Sequence, residues 1–92
     1  MSVNVRIPTP LRGLTNNLDI VQVDDGGTLS ATIDGLEASY PGFKDRVCDD
    51  QGEIRRFVNI YVNGEDVRFL DGLGTALKTG DEISIVPAGA GG

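Results

Sequence analysis

The fold is decided by residues 57–64, whose sequence is FVNIYVNG. Aliphatic side chains occupy every second position of this stretch, at 58, 60 and 62, which is the period of a strand with one buried face. Asn63-Gly64 follows, and this pair favours a tight hairpin turn because both residues tolerate positive φ angles. The stretch therefore predicts a half-buried strand that ends in a sharp reversal of the chain.

Further strands are predicted on both sides of this stretch. Val3, Val5 and Ile7 alternate with polar residues and indicate a first strand that ends before Pro8. The remaining strands are expected at about 18–23, as a short return at 65–69, and at 82–87.

One amphipathic helix is predicted between the second and third strands. Thr28 is a candidate N-cap, because its hydroxyl can accept a free backbone N–H of the first turn. A stripe with helical spacing follows, and Pro41-Gly42 ends it; the stripe consists of Leu29, Ile33, Leu36 and Tyr40. Gly35 within the helix is expected to allow close packing on the sheet. Residues 43–52 suggest a helical turn and an acidic loop, and 70–77 an irregular or 3₁₀ crossover. The fold class is therefore α+β, a mixed sheet of four to five strands with one main helix on one face.

Composition excludes several classes of function. The chain of 92 residues has a net charge of −6, without the basic footprint of a nucleic-acid binder. This acidity favours a basic docking surface on a protein partner. No apolar run approaches the roughly 20 residues of a membrane span, and the N-terminus lacks the features of a secretory signal. We therefore expect a cytoplasmic protein that binds neither nucleic acid nor membrane.

The candidate catalytic and metal-binding groups have structural interpretations. The chain has no histidine, so a Cys/His pair or a hydrolytic triad is impossible. Cys48 lies among carboxylates that raise a thiol pKa, and is expected to be a small buried or loop residue. Asp24-Asp25 and Asp49-Asp50 lie in turn regions without metal-ligand spacing, and Arg55-Arg56 is interpreted as an exposed strand edge. No catalytic residue, metal site or bound cofactor is predicted.

The chain ends on a segment with almost no side chains, AGAGG at 88–92. Glycine accepts almost any backbone angle and fits channels that reject larger residues. Five extended residues reach roughly 16–18 Å, enough to carry a terminal carboxylate into a partner's active site. A frayed end or a remnant of cloning is the alternative. The expected organisation is a domain at 1–87 and a flexible tail at 88–92.

This order of elements and this ending resemble the ubiquitin-like, β-grasp sulfur carriers of the ThiS/MoaD family. The resemblance covers essentially the whole chain. It is most specific in three segments: residues 57–68, the run GDEISIVP at 80–87, and the terminal Gly91-Gly92. The block at 57–63, with residues 7–12, is most similar to the CysO branch, whose members serve cysteine biosynthesis.

The resemblance implies a chemistry in which this chain is a protein co-substrate and not an enzyme. An E1-like adenylating enzyme of the MoeB/ThiF type would use ATP to activate the carboxylate of Gly92, and sulfur would then replace AMP to leave a thiocarboxylate. Gly89, Ala90 and Gly91 would thread the enzyme's channel. A PLP-dependent, CysM-like cysteine synthase would accept the sulfur, and a metallopeptidase would release cysteine; PLP and metal belong to these partners.

Other functions remain open at this point. The runner-up is a MoaD-like small subunit of molybdopterin synthase, although Asp66 stands where MoaD is apolar. A ubiquitin-like modifier attached through Gly92 and a plain β-grasp interaction module are further alternatives.

A docking patch is also predicted, formed by Val86, Phe57 and Tyr61 on the open face of the sheet. The residue at the Val86 position contacts partners in the family, and aromatic anchors are common at interfaces. Ordinary exposure of apolar side chains is the alternative for Phe57 and Tyr61.

Overall fold

The computed structural model describes residues 2–24 and 26–87. Within these ranges five strands form one sheet. The strands are β1 (Ser2–Arg6), β2 (Ile20–Asp24), β3 (Val58–Val62), β4 (Glu65–Asp66) and β5 (Glu82–Pro87), and the α-helices are α1 (Leu29–Ser39) and α2 (Phe43–Val47). Three 3₁₀ helices span Thr9–Leu14, Val67–Phe69 and Gly72–Gly74. This is the expected α+β arrangement of a mixed sheet with one main helix. None of the helices in the two described ranges has the length and hydrophobicity needed to cross a bilayer.

The last strand lies in the middle of the sheet. The strand order is β2-β1-β5-β3-β4, with β5 parallel to β1 and antiparallel to β3. Val5 lies opposite Ile83 on one side of β5, and Val58 lies opposite Pro87 on the other. β5 is paired with β1 as far as Ser84 and with β3 as far as Pro87, so the residue that precedes the predicted tail is held against β3.

The core lies between the sheet and the helices. Side chains at alternate strand positions face inward and are buried; they are Val3, Val5, Val21, Val58, Ile60, Val62, Ile83 and Ile85. Leu29, Ile33 and Leu36 of α1 are at most 2% exposed, which confirms the predicted stripe. Tyr40 packs against the core from just beyond the end of α1. Phe43 and Val47 of α2 complete the core and are fully buried.

Local signals in the sequence position α1 and the hairpin turn. The hydroxyl oxygen of Thr28 accepts a hydrogen bond from the backbone N–H of Ala31 at 3.2 Å, so the predicted N-cap is confirmed. A Cβ at Gly35 would lie 3.1 Å from a methyl group of Val23, which shows how closely α1 approaches β2. Asn63 and Gly64 have φ angles of 52° and 88°, as the predicted turn requires.

The return strand is shorter than predicted. Only Glu65 and Asp66 pair with β3, whereas the prediction extended the strand to residue 69. Val67 is fully buried, and the Asp66 carboxylate accepts the backbone N–H of Arg68 at 2.9 Å. Because Val67 is buried and Asp66 caps the following backbone, the chain continues as a 3₁₀ helix at Val67–Phe69 and not as a strand.

Two further predictions of position are corrected. The second strand begins at Ile20 and not at 18, because the hydroxyl of Thr15 donates to the carbonyl oxygen of Leu18 at 2.9 Å and holds it in the preceding turn. Arg55 and Arg56 lie in the loop before β3 and not on a strand edge.

Candidate functional site

The predicted reactive residue, Gly92, lies outside the described residues. The same holds for the predicted threading residues Gly89, Ala90 and Gly91. The structure instead defines the surface around Pro87, the residue from which the terminal segment begins. We therefore treat this end of the sheet as the candidate functional site.

The three predicted docking residues lie on β3 and β5 or directly beside them. Val86 is opposite Asn59, and Tyr61 is opposite Ser84, on the sheet face that points away from the helices. Val86 is 40% exposed and Tyr61 is half-buried. Phe57 is 57% exposed and immediately precedes Val58, the partner of Pro87. All three positions thus belong to the outer surface formed by β3, β5 and the residue that precedes β3.

An open groove of ≈ 290 Å³ runs beside the end of β5. Val86 and Pro87 line one side, and the segment from Ile7 to Pro10 lines the other. Two arginines, Arg6 and Arg12, and one carboxylate, Asp19, provide its polar groups. The groove is therefore lined by apolar side chains together with two cations and one carboxylate.

On the other side of β5, Arg68 fixes the loop that leads into β3. Its guanidinium group donates to the carbonyl oxygens of Arg55 and Val58 at 3.0 and 2.6 Å, and to the side-chain oxygen of Asn59 at 2.7 Å. Sequence reasoning missed this arginine, because its acceptors are 9 to 13 positions away along the chain. The contact holds the residues on either side of Phe57.

The remaining candidate groups have structural roles. Cys48 is buried, and that burial raises the pKa of its thiol, with a further contribution from the Asp49 carboxylate. The carboxylate of Asp49 accepts the backbone N–H groups of Gln51 and Glu53, as expected for a turn residue. Among residues 2–24 and 26–87, no three or more His, Cys, Asp or Glu side chains are grouped so that they could hold a metal ion.

A second carboxylate stabilises the opposite end of β5. Asp81 accepts the backbone N–H of Lys78 at 2.9 Å and the side-chain amide of Asn63 at 3.0 Å. These hydrogen bonds, the one from Lys78 above all, lower the pKa of the Asp81 carboxyl group. The side-chain oxygen of Asn63 in turn accepts the N–H of Glu82. This network secures the entry to β5 and lies away from the candidate site.

Comparison with known proteins places the chain in a family. The sequence model of the ThiS family matches residues 5–92. Sulfur carrier protein CysO of Mycobacterium tuberculosis is 51% identical over 94 residues, which cover 100% of both chains. The crystal structure of M. tuberculosis CysO, described as an antigen, superposes with a TM-score of 0.89 at 50% identity and covers 94% of this chain and 98% of that one. CysO in the Amycolatopsis orientalis BexX/CysO complex gives a TM-score of 0.91 at 43% identity, over 98% of this chain and 99% of that one.

The fold and the matched sequence define a ubiquitin-like, β-grasp protein. More narrowly, the chain belongs to the ThiS family and is a full-length homologue of the sulfur carrier CysO. The predicted β-grasp architecture and the predicted family are both confirmed. Sulfur carriers of this family are small non-catalytic protein substrates, so the family assignment also confirms that the chain is not an enzyme.

Proposed function

We propose that the chain carries sulfur as a thiocarboxylate on Gly92 and supplies it for cysteine biosynthesis. The observation that carries this proposal is the position of Gly91 and Gly92, four and five residues beyond the end of the middle strand of a β-grasp sheet. The identity to CysO along the whole chain supports the cysteine pathway.

The first step converts the carboxylate of Gly92, which is a poor electrophile, into an acyl adenylate, which is a good one. An adenylating enzyme of the MoeB/ThiF type joins the Gly92 carboxylate to the α-phosphate of ATP and releases pyrophosphate. Free sulfide then attacks the carbonyl carbon and displaces AMP, or a persulfide attacks it and a second thiol cleaves the resulting S–S bond, which leaves the thiocarboxylate and a disulfide. The product is a thiocarboxylate whose sulfur is ionised and nucleophilic at neutral pH.

The second stage transfers the sulfur to a three-carbon acceptor. A PLP-dependent, CysM-like cysteine synthase supplies an aminoacrylate from an activated serine, and the thiocarboxylate sulfur adds to its β-carbon. An acyl shift from sulfur to nitrogen leaves cysteine in amide linkage to Gly92. Hydrolysis by a metallopeptidase releases cysteine and restores the carboxylate. In this proposal ATP, PLP and the metal are used by partner enzymes in the cytoplasm, and the chain itself binds no cofactor.

Intact-protein mass spectrometry tests the proposal. Incubation with the adenylating enzyme, ATP and sulfide should add the mass difference between sulfur and oxygen, and deletion of Gly92 should abolish this gain while α1 and the sheet keep their circular dichroism. Subsequent addition of O-phosphoserine and the PLP enzyme should add one cysteine residue. Sulfur loading by the variant that lacks Gly92 would refute the chemistry. Transfer to a pterin precursor, with none to O-phosphoserine, would instead assign the chain to the MoaD-like alternative.

A further inference from the structure

Five of the eight basic residues of the chain lie at the end of the sheet where β5 stops. We refer to them as the arginine collar, and they are Arg6, Arg12, Arg55, Arg56 and Arg68. Arg6 and Arg12 line the groove beside Val86 and Pro87. Arg55 and Arg56 line a second groove with Phe57, and Arg68 binds the start of β3. Because Val58 is opposite Pro87, the collar flanks β5 on both sides.

The guanidinium groups of the collar are not paired directly with carboxylates in the part of the chain that the structure describes. Three of its guanidinium groups donate to backbone carbonyl oxygens, which are neutral acceptors: those of Ile7, Asp45 and Val58. Within residues 2–24 and 26–87, none of the five forms an ion pair with a carboxylate. Asp19 and Asp49 line the same two grooves, and Glu53 and Asp71 line a third groove with Arg68, without an ion pair to any of the five arginines in the described ranges.

The opposite end of the sheet is acidic. Glu82 lies opposite Asn4 and Glu65 lies opposite Val62, next to the buried carboxylate of Asp81. The net charge of −6 therefore does not describe the surface near the terminal segment. The expectation from net charge, a basic docking surface on a protein partner, stays a prediction and concerns the acidic parts of the surface.

We propose that the arginine collar docks against a carboxylate-rich protein surface around the opening of the adenylating enzyme that receives the terminal glycines. This inference rests on the proposed function, because it concerns the same enzyme. Opposite charges around an entrance steer association and fix the orientation of the bound carrier, and they matter most when the approach must deliver one chain end. The adenylating enzyme is the proposed occupant because the collar flanks Pro87, from which the chain continues to the terminal glycines, and binding to a phosphate backbone is an outcome that the test distinguishes.

Charge reversal at matched positions tests this inference. Arg6→Glu and Arg56→Glu each change the charge by two units at exposed collar positions that make no side-chain hydrogen bond within the described ranges. Lys78→Glu makes the same change at the acidic end of the sheet, beside Asp81. The dissociation constant for the adenylating enzyme is measured at about 0.05 M and about 0.5 M salt, between which the Debye length falls from about 14 Å to about 4 Å.

Both collar variants should bind about five- to tenfold more weakly at low salt, and the difference from the unsubstituted chain should shrink at high salt. Lys78→Glu should change the affinity less than about twofold, or improve it slightly, because it adds charge far from the docking surface. Unfolding midpoints confirm that each variant is folded. Arg6→Gln and Arg56→Gln, which remove one charge and not two, should change the free energy of binding to the enzyme by about half as much as the glutamate variants do.

Three results would overturn the inference: equal losses for collar and control variants, an affinity that salt does not change, or no complex at either salt concentration. Binding of a fluorescent oligothymidylate that depends on Arg56 would assign the collar to phosphate groups instead. Thiocarboxylate formation is followed in the same samples. Salt-sensitive binding of the chain to the enzyme without thiocarboxylate formation would refute the proposed function alone. Normal thiocarboxylate formation, with equal losses of affinity in the collar variants and in Lys78→Glu, would refute the role of the collar alone.

Discussion

The guanidinium group of Arg68 lies beside the start of β3 and donates a hydrogen bond to the carbonyl oxygen of Val58 at 2.6 Å. It also donates to the carbonyl oxygen of Arg55 and to the side chain of Asn59. The short strand β4 pairs with β3 only at the far end, at two positions. Arg68 therefore takes the place of a neighbouring strand where the edge of β3 would otherwise be open, and it fixes the segment that carries Phe57.

Replacing Arg68 should loosen the start of β3. Arg68→Ala removes three hydrogen bonds from a partly solvated site, so we expect the free energy of unfolding to fall by about 1–2 kcal/mol. Arg68→Lys keeps the charge but lacks the planar fork, and should lose about half as much. Arg56→Ala is the matched control and should change the value by less than about 0.5 kcal/mol. Urea unfolding measures all three variants, and hydrogen exchange should show faster exchange at residues 57–59 in Arg68→Ala. Equal stability of Arg68→Ala and Arg56→Ala would contradict this role.

Phe57 should contribute to partner binding and not to folding. Its side chain is 57% exposed, so Phe57→Ala should leave the free energy of unfolding nearly unchanged. If Phe57 is an anchor on the docking surface, the same substitution should weaken binding to the adenylating enzyme by about tenfold or more. Titration of the enzyme with the intact chain measures this change.

Phe69 provides the control for this experiment. It is an equally large aromatic residue that is 88% exposed, but it lies in the 3₁₀ helix that follows β4. Phe69→Ala should therefore bind like the unsubstituted chain. Equal affinities of the two variants would mean that Phe57 is ordinary exposed surface, the alternative left open by its sequence.

The elements of the fold were predictable where local chemistry determines them. Alternation at 58–62, the hydroxyl of Thr28 and the turn at Asn63-Gly64 each depend on residues within four positions of one another. Errors arose where a tertiary contact overrides a local preference. Residues 67–69 have strand-like composition, yet Val67 is buried in the core and turns the chain into a 3₁₀ helix.

The candidate site was predictable only in part. The terminal glycines and Val86 are visible as a motif, and the predicted outer-face positions of Tyr61 and Val86 are confirmed by the strand register. The arginine collar was not predictable, because its five members come from four separate segments that meet only in the folded sheet. Net charge averages the two ends of the molecule and predicts a basic partner surface, whereas the arginine collar is the basis for proposing an acidic one.

Asp81 should make stability depend on acidic pH. Its folded-state pKa lies below the ordinary value because Lys78 and Asn63 hydrogen-bond to the ionised form. The resulting stabilisation is fully present above the unfolded-state pKa of about 3.9, and it is lost as the pH falls through the lower folded-state value. Asp81→Asn should therefore have a lower free energy of unfolding than the unsubstituted chain at neutral pH. This difference between the two chains should become smaller as the carboxyl group of Asp81 becomes protonated.

Urea unfolding at a series of pH values between about 7 and about 3 measures this difference in the free energy of unfolding. Asp71→Asn is a suitable control, because Asp71 is exposed and its side chain does not cap the helix that follows it. Its free energy of unfolding, measured at the same pH values, is the reference with which Asp81→Asn is compared. If the difference between Asp81→Asn and the unsubstituted chain did not change with pH, the hydrogen bonds to Asp81 would not favour its charged form.

Cys48 should take no part in sulfur loading, although it is the only thiol of the chain. The residue is 3% exposed, and burial raises the pKa of its thiol, so the nucleophilic thiolate is scarce and inaccessible. Cys48→Ala should gain sulfur from the adenylating enzyme as the unsubstituted chain does, at a cost of about 1 kcal/mol in the free energy of unfolding from the lost core contacts. In the folded chain, iodoacetamide should modify Cys48 far more slowly than in urea, because the thiol is buried. Loss of the sulfur mass in Cys48→Ala would move the carried sulfur from Gly92 to this side chain, and intact mass spectrometry of the two chains decides between the sites.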